Sequence, residues 1–214
     1  MKESQSDHLA KLLLKPFILK PYKMARRIAD KLIRTDLEGF HIREAKRLID
    51  ATGASAGILD VGSGFGYLGE SLTKLLSNSL IVSTDVENLH HGTSNFVVSN
   101  AAELPFADNS FNVVTLFYVL HHTLDPEKML TEAIRVSKEK VVIQEDAAIN
   151  FFEFLVSWLH IYTWENDWPL SEIKVRNDSE WKELFNKAGL SLVKKENIQM
   201  IGLPIHRYLY LLNK

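Results

Sequence analysis

Cysteine is absent from the 214 residues, which rules out disulfides, thiolate nucleophiles and any zinc site built on sulfur. No apolar run approaches the roughly 20 residues a membrane helix needs. The phosphate-cradling pattern G-x-x-x-x-G-K-[ST] is missing, as are linkers, repeats and low-complexity tracts. The opening Met1-Lys2-Glu3-Ser4-Gln5 is polar and includes an acid, so no cleavable leader is expected and the cytoplasm is the default location. Charge of one sign is scarce overall, with a formal net of −2, but it is unevenly spread. Residues 1–50 hold 12 Lys/Arg against 7 Asp/Glu, and the remainder 13 against 20. Hydrophobic residues at 46% and charged ones at 24% are ordinary for a globular chain, whose length suits one domain.

What is present concentrates between Ile58 and Leu72. Ile58, Leu59 and Val61 around Asp60 read as the end of a buried strand. Gly62, Gly64 and Gly66 then allow a sharp turn with exposed backbone N–H groups, and Leu68, Leu72, Leu75 and Leu76 follow at helical spacing. A strand, a glycine turn and a helix start make a nucleotide-binding corner. The dinucleotide fingerprint would place its third glycine where Tyr67 stands, so the turn is not shaped for a pyrophosphate. Asp85 ends the next strand-like run, 19 residues beyond Gly66, where a carboxylate can accept from ribose hydroxyls. These residues point to a nucleoside-bearing ligand.

Strands and helices alternate through the middle of the chain. Strands are expected at 57–61, 80–84, 96–99, 111–117 and 140–145, and helices at 66–77, 87–90 and 126–137. Such alternation predicts an α/β fold whose parallel sheet carries helices on both faces, with ligands beyond the carboxyl ends of the strands. Asp60, Asp85, Asn100, Phe117 and Glu145 all fall at or near those ends. Before this core, residues 1–50 read as a helical cap, with a helix from Leu9 broken by Pro16 and Pro21, a second at 22–33 and a third at 40–50. A solvated basic face is preferred there over a peripheral membrane contact through residues 9–33. The core extends over 51–147. Residues 148–177 form an aromatic insertion in which Phe151, Phe152, Phe154, Trp158, Tyr162, Trp164 and Trp168 suggest a buried helix, a lid over an apolar pocket, or both. Residues 178–214 close the chain with a helix at 178–188, capped by Asp178 or Ser179, and strands near 191–197 and 206–212.

Asp60-Val61-Gly62-Ser63-Gly64-Phe65-Gly66 with Asp85 resembles the first motif and the ribose acid of class I S-adenosylmethionine-dependent methyltransferases. Asn100 to Phe106, Ser110 to Val114 and Val119 to His122 resemble the small-molecule branch, which includes the ubiquinone/menaquinone and sterol-type enzymes. The resemblance covers roughly 57–145. It implies a Rossmann-like, seven-stranded, mostly parallel sheet with an antiparallel last strand, and S-adenosyl-L-methionine as cofactor. It further implies that Gly62, Ser63, Gly64 and Gly66 pass near the methionine part of the donor, with Asp60 on its ammonium group and Asp85 on the ribose. Asn100 stands where the family usually has an acid for the adenine amino group, and an amide oxygen can accept the same bond. Ala101 would offer its N–H to the ring, Val86 and Leu104 could sandwich the base, and Phe117 and Tyr118 would flank the methionine end. Two departures mark a divergent member: Asn112 replaces an acid, and Ser137-Lys138-Glu139-Lys140 stands where a Pro-Gly-Gly turn is common.

Transfer of a methyl group requires alignment, exclusion of water and removal of any leaving proton. The catalytic candidates are His122, preferred over His121, and Glu145, the histidines because imidazole is the natural base near neutral pH. His90 and His91 read as solvent-exposed turn residues. His121, His122, Glu145 and Asp146 show no recognised ligand spacing, so no metal is expected. The preferred function is methyl transfer to a small, partly apolar acceptor such as a quinone, lipid or aromatic metabolite. Nucleic acid is disfavoured as a partner, because the Asn/Asp-Pro-Pro-Tyr tetrapeptide and a basic stripe are both missing and no cysteine can act as an RNA-methylating nucleophile. An RNA or protein methyltransferase and a non-catalytic donor-binding protein remain the alternatives. The oligomeric state is open.

Overall fold

The computed structural model describes residues 37–90, 92, 94–164, 173–198 and 205–214. The helices expected within 9–33, and the membrane-contact reading attached to them, lie outside these residues. The described chain runs α1 (Leu37–Thr52), β1 (Gly57–Val61), α2 (Tyr67–Leu75), β2 (Leu80–Asp85), β3 (Asn95–Val98), β4 (Phe111–Phe117) and a 3₁₀ turn (Leu120–His122). It continues with α3 (Pro126–Val136), β5 (Ser137–Asp146), α4 (Phe151–Trp164), α5 (Asp178–Lys187), β6 (Ser191–Ile198) and β7 (Arg207–Asn213).

The seven strands form one sheet in the order β3-β2-β1-β4-β5-β7-β6. The first five are parallel, and β7 runs antiparallel to both β5 and β6. This is the seven-stranded arrangement that the strand–helix alternation and the resemblance imply. Period-two side-chain alternation sorts the core into two layers. Leu59, Val114, Ile143 and Tyr210 face α3 and α5, where Leu130, Ala133, Trp181 and Phe185 pack. Ile58, Val113, Val142 and Leu209 face α1 and α2, meeting Ala45, Leu48, Leu68 and Leu72. Strands covered on both faces read as continuous apolar runs, as β1 does and as Val141–Ile143 do within β5.

The sheet's order reverses between β1, from which the chain winds outward to β2 and β3, and β4, which starts the opposite half. The carboxyl ends of β1 and β4 flank that switch point, where ligands of such sheets bind. At the other end of the sheet, β6 is an exposed edge protected by Lys194, Lys195 and Glu196.

Several expectations shift in detail. Residues 87–90 form no helix: a bend at 86–87 runs into irregular chain. The cap of α5 is Asn177, one residue before the expected Asp178: its side chain accepts from the Ser179 and Glu180 N–H groups, and Glu180 returns a bond to the Asn177 N–H. No turn separates α3 from β5, because Val136 ends the helix and Ser137 opens the strand, its hydroxyl donating to the Lys140 carbonyl. That direct joint accounts for the missing Pro-Gly-Gly. Among the described residues, no helix is long and apolar enough to cross a membrane.

Candidate active site

The glycine turn after β1 is built as its composition demands. Gly62, Gly64 and Gly66 take φ values of 72°, 54° and 80°, a region that L side chains rarely enter. The N–H groups of Gly62 and Ser63 donate to the Thr84 carbonyl at 2.8 and 3.0 Å, tying the turn to β2. A Cβ on Gly62 would collide with Val119, and one on Gly66 with His90. His90 is therefore no exposed turn residue. Its ring stacks on Phe96 at 4.8 Å and its side chain is packed against the turn, while His91 lies outside the described residues.

Asp85 faces the turn across the cleft. Its Oδ2 accepts from the Gly64 N–H at 2.8 Å and its Oδ1 from the Glu87 N–H at 3.2 Å. Each oxygen keeps a lone pair for a ligand. Asp60 lies beneath the turn, 2% exposed, with Oδ1 accepting from the Thr115 hydroxyl at 2.9 Å and Oδ2 without a partner. Burial pushes its carboxyl up to about 7, with the Asp85 charge adding to that rise and the Thr115 hydroxyl opposing it. Asn100 begins an Asx turn, its Oδ1 accepting from the Ala102 N–H at 2.9 Å.

One cleft of about 820 Å³ opens along this edge of the sheet. Of the residues singled out in the sequence, Gly62, Gly64, Asp85, Val86, Asn100, Ala101, His121 and His122 line it. Asp60, Ser63, Gly66, Phe117 and Glu145 are not on its wall. Phe117 packs into the core layer under α1, and the neighbouring Tyr118 takes the wall position instead. Leu104, paired with Val86 as a base contact, is 4% exposed and belongs to the core. Glu145 is fully buried: Oε1 accepts from the Leu120 N–H at 2.7 Å, and Oε2 holds His121 Nδ1 at 2.5 Å. Both its oxygens are engaged below the cleft, so it orients the 3₁₀ turn rather than meeting a substrate.

The far end of the cleft is polar. His121 and His122 project from the 3₁₀ turn with ring centroids 4.1 Å apart, and His160 of α4 stands 5.7 and 5.6 Å from them. Burial alone would lower the His121 pKa. The charge and hydrogen bond of Glu145 outweigh it, so the net direction is upward. Arg207, at the start of β7, is held by Asp146 at 2.5 Å and lies 5.4 Å over the Tyr118 ring. Tyr118 takes φ 56°, a strained value for a side-chain-bearing residue. It is fixed by its N–H to the Gln144 carbonyl at 2.7 Å and by Gln144 Nε2 to its hydroxyl at 2.6 Å.

His160 and Arg207 are site residues that the sequence reading passed over. His160 is the one histidine of an aromatic-rich helix, and Arg207 opens the second strand of the closing hairpin. The aromatic helix also differs from expectation. Phe151, Phe152 and Phe154 are 79%, 59% and 43% exposed, and what α4 presents to the cleft is an imidazole.

With this geometry in view, comparisons with known proteins identify the family. A family described as a methyltransferase domain matches residues 59–143, from β1 into β5. The ubiquinone/menaquinone biosynthesis C-methyltransferase of Hahella chejuensis is 32% identical over 201 residues, covering 78% of this chain and 81% of that protein. The chain belongs to the class I S-adenosylmethionine-dependent methyltransferases. Within that family, the demethylmenaquinone methyltransferase of Renibacterium salmoninarum is 32% identical over 121 residues, or 52% of this chain and 51% of the relative. The chain thus spans about half the length of several of the relatives it matches. The magnesium protoporphyrin IX methyltransferase of Synechocystis, solved with S-adenosylhomocysteine bound, superimposes with a TM-score of 0.59 at 13% identity. The alignment covers 95% of this chain and 99% of that one, a likeness of fold. The family's small-molecule branch is the one its sequence motifs resembled.

Proposed function

We propose that this protein transfers a methyl group from S-adenosylmethionine to a small, oxygen-bearing, partly apolar acceptor such as a quinol. The observation that carries this reading is the two-ended cleft: a glycine turn with Asp85 at one end, and three imidazoles at the other. The donor fits what the chain presents. Asp60 Oδ2 is a buried acceptor without a partner behind the cleft wall, and it would serve the ammonium group through a water molecule. The second lone pairs of the Asp85 carboxylate suit vicinal ribose hydroxyls. Val86, largely exposed on the wall, offers an apolar face to adenine beside the Asn100 amide and the Ala101 N–H. Ser63, Gly66 and Phe117 support the turn and the strand ends from behind.

When bound, S-adenosylmethionine supplies an electrophilic methyl carbon. The chain's own part is placement, since little covalent chemistry is needed. Tyr118 and Val119 separate the two ends and set where the reacting atoms meet. Phe40 and Met129 give the acceptor an apolar wall, and the imidazoles of His122 and His160 face its oxygen and take up its proton. Glu145 holds His121 in place and is a positioning residue. Two of the relatives above are named as a demethylmenaquinone methyltransferase and a ubiquinone/menaquinone biosynthesis C-methyltransferase, which supports a hydroxylated quinone-type ring as acceptor.

Incubating the purified chain with S-adenosylmethionine and a panel of short-chain hydroxylated quinols tests the reading by mass spectrometry. Gain of one methyl group by a panel member, with S-adenosylhomocysteine released in equal amount, is the expected result. Failure to bind the donor in calorimetry would overturn it.

A further inference from the structure

Three imidazoles from two elements converge at the far end of the cleft. We propose that His121, His122 and His160 together bind one divalent transition-metal ion of the zinc type, leaving a fourth position open to the cleft. One ring nitrogen from each of the three lies within 4.8 Å of the others. Tetrahedral ligands at a zinc–nitrogen distance of about 2.0–2.1 Å stand roughly 3.4 Å apart, so modest χ rotation of the less buried His122 and His160 closes the set. His121 is 7% exposed, and its Nε2 is buried without a hydrogen-bond partner. With the Nδ1–H donated to Glu145, that Nε2 carries a lone pair pointing away from the carboxylate.

The surroundings reproduce what metal-bound imidazoles use. A ligating histidine donates its other ring N–H to a carboxylate, which fixes its tautomer and strengthens it as a ligand. Glu145 does this for His121 and is itself fixed by the Leu120 N–H. The nearby Arg207 charge is balanced by its ion pair with Asp146. All three histidines line the cleft, so the side not taken by protein faces the ligand space, the hallmark of a site that keeps an exchangeable position. Three imidazoles without a carboxylate ligand select zinc, cobalt or nickel over magnesium or calcium. No metal-binding spacing exists in the sequence because two ligands are adjacent and the third is on another element.

The binding claim stands independently of methyl transfer. The role of the ion rests on the donor and acceptor ends of the proposed function but replaces its imidazole base: with the ion bound the three rings are ligands, and an acceptor hydroxyl at the open position loses its proton to solvent. Its oxygen lone pair stays available to the methyl carbon.

Tag-free protein stripped with chelator is titrated with Co²⁺, followed by visible absorption, and with Zn²⁺ by calorimetry, with Mg²⁺ alongside. One Zn²⁺ or Co²⁺ per chain, with tetrahedral-type cobalt bands and no Mg²⁺ uptake, is expected. His160→Gln and His122→Gln, both less buried than His121, should each weaken binding at least tenfold. No bound ion in the wild type, or wild-type affinity in both variants, overturns the site. Thermal stabilisation by S-adenosylmethionine is measured on the same samples. Its loss in the wild type would fail the proposed function while leaving the metal result readable.

Discussion

The two ends of the cleft are made from different materials. The donor end is mostly backbone: three glycines with positive φ, two N–H groups bonded to Thr84, and carboxylates on adjacent strands. Its parts lie within 42 residues in sequence, from Asp60 to Ala101. The acceptor end is side chains gathered from six places, α1, the β4 exit, α3, β5, α4 and β7, spread from Phe40 to Arg207. A backbone cradle accepts one shape and tolerates few changes. A side-chain cluster can be exchanged piece by piece without disturbing the sheet, and this is how one donor corner can serve many acceptors.

That contrast can be tested by damaging one end at a time. Glu145→Ala should have the largest effect, a loss of about 3–4 kcal/mol in folding stability by urea denaturation. It strands the Leu120 N–H and His121 Nδ1 in the interior. If stability changes by less than about 1 kcal/mol, the buried carboxylate is not the anchor of the acceptor end. Asp85→Ala should weaken S-adenosylmethionine by about 2–3 kcal/mol in calorimetry, through lost charge-assisted bonds and a freed Gly64 N–H. Its uptake of Co²⁺ should be unchanged, and a parallel loss would join the two ends that geometry separates.

Asp60 gives a pH signature. Its carboxyl is raised from 3.8 to about 7, so the folded chain favours the protonated form. Folding stability from this group is complete below its unfolded value and declines as pH rises towards 7. An ammonium ligand requires the ionised form, so donor affinity should fall up to about tenfold per pH unit below 7 and level off above it. Calorimetry near pH 6.5 in buffers of different ionisation enthalpy should register a proton released on binding, and Asp60→Asn should abolish it. A flat profile would remove Asp60 from the donor contacts. Asn100→Ala should cost least, about 1 kcal/mol of donor affinity, because the amide supplies a neutral bond at the rim.

The same contrast explains what could be read in the sequence. The strands of the sheet announce themselves through apolar runs of the right length, and the glycine turn through a spacing that only tight backbone geometry needs. Asp85 was legible because a fixed interval separates it from that turn. His160 was not: its partners are 38 and 39 residues away, and its neighbours Leu159, Ile161 and Tyr162 are core residues that drown its signal. Glu145 carried the right position but the wrong orientation, since a strand end does not say whether a side chain points above or below the sheet. The shift of the α5 cap from Asp178 to Asn177 has a similar cause. Three adjacent residues can all cap, and Asp178 is instead drawn to Lys182, Lys195 and Tyr210.

The start of α4 is fastened to β7. The Glu153 carboxylate accepts from the Ile149 and His206 N–H groups and from Asn150, and also pairs with the His206 ring. His160 lies seven residues along the same helix, a lever arm of about 10 Å from that clamp. Tilting α4 by about 10° about Glu153 would carry the imidazole by nearly 2 Å, enough to open or close its reach to His121 and His122. The far end of the arm rests on Ile173 and Val175 through Leu159, Ile161 and Tyr162. Swapping those contacts would therefore tune the acceptor end from outside it, in the way that a fulcrum and a stop set the travel of a switch.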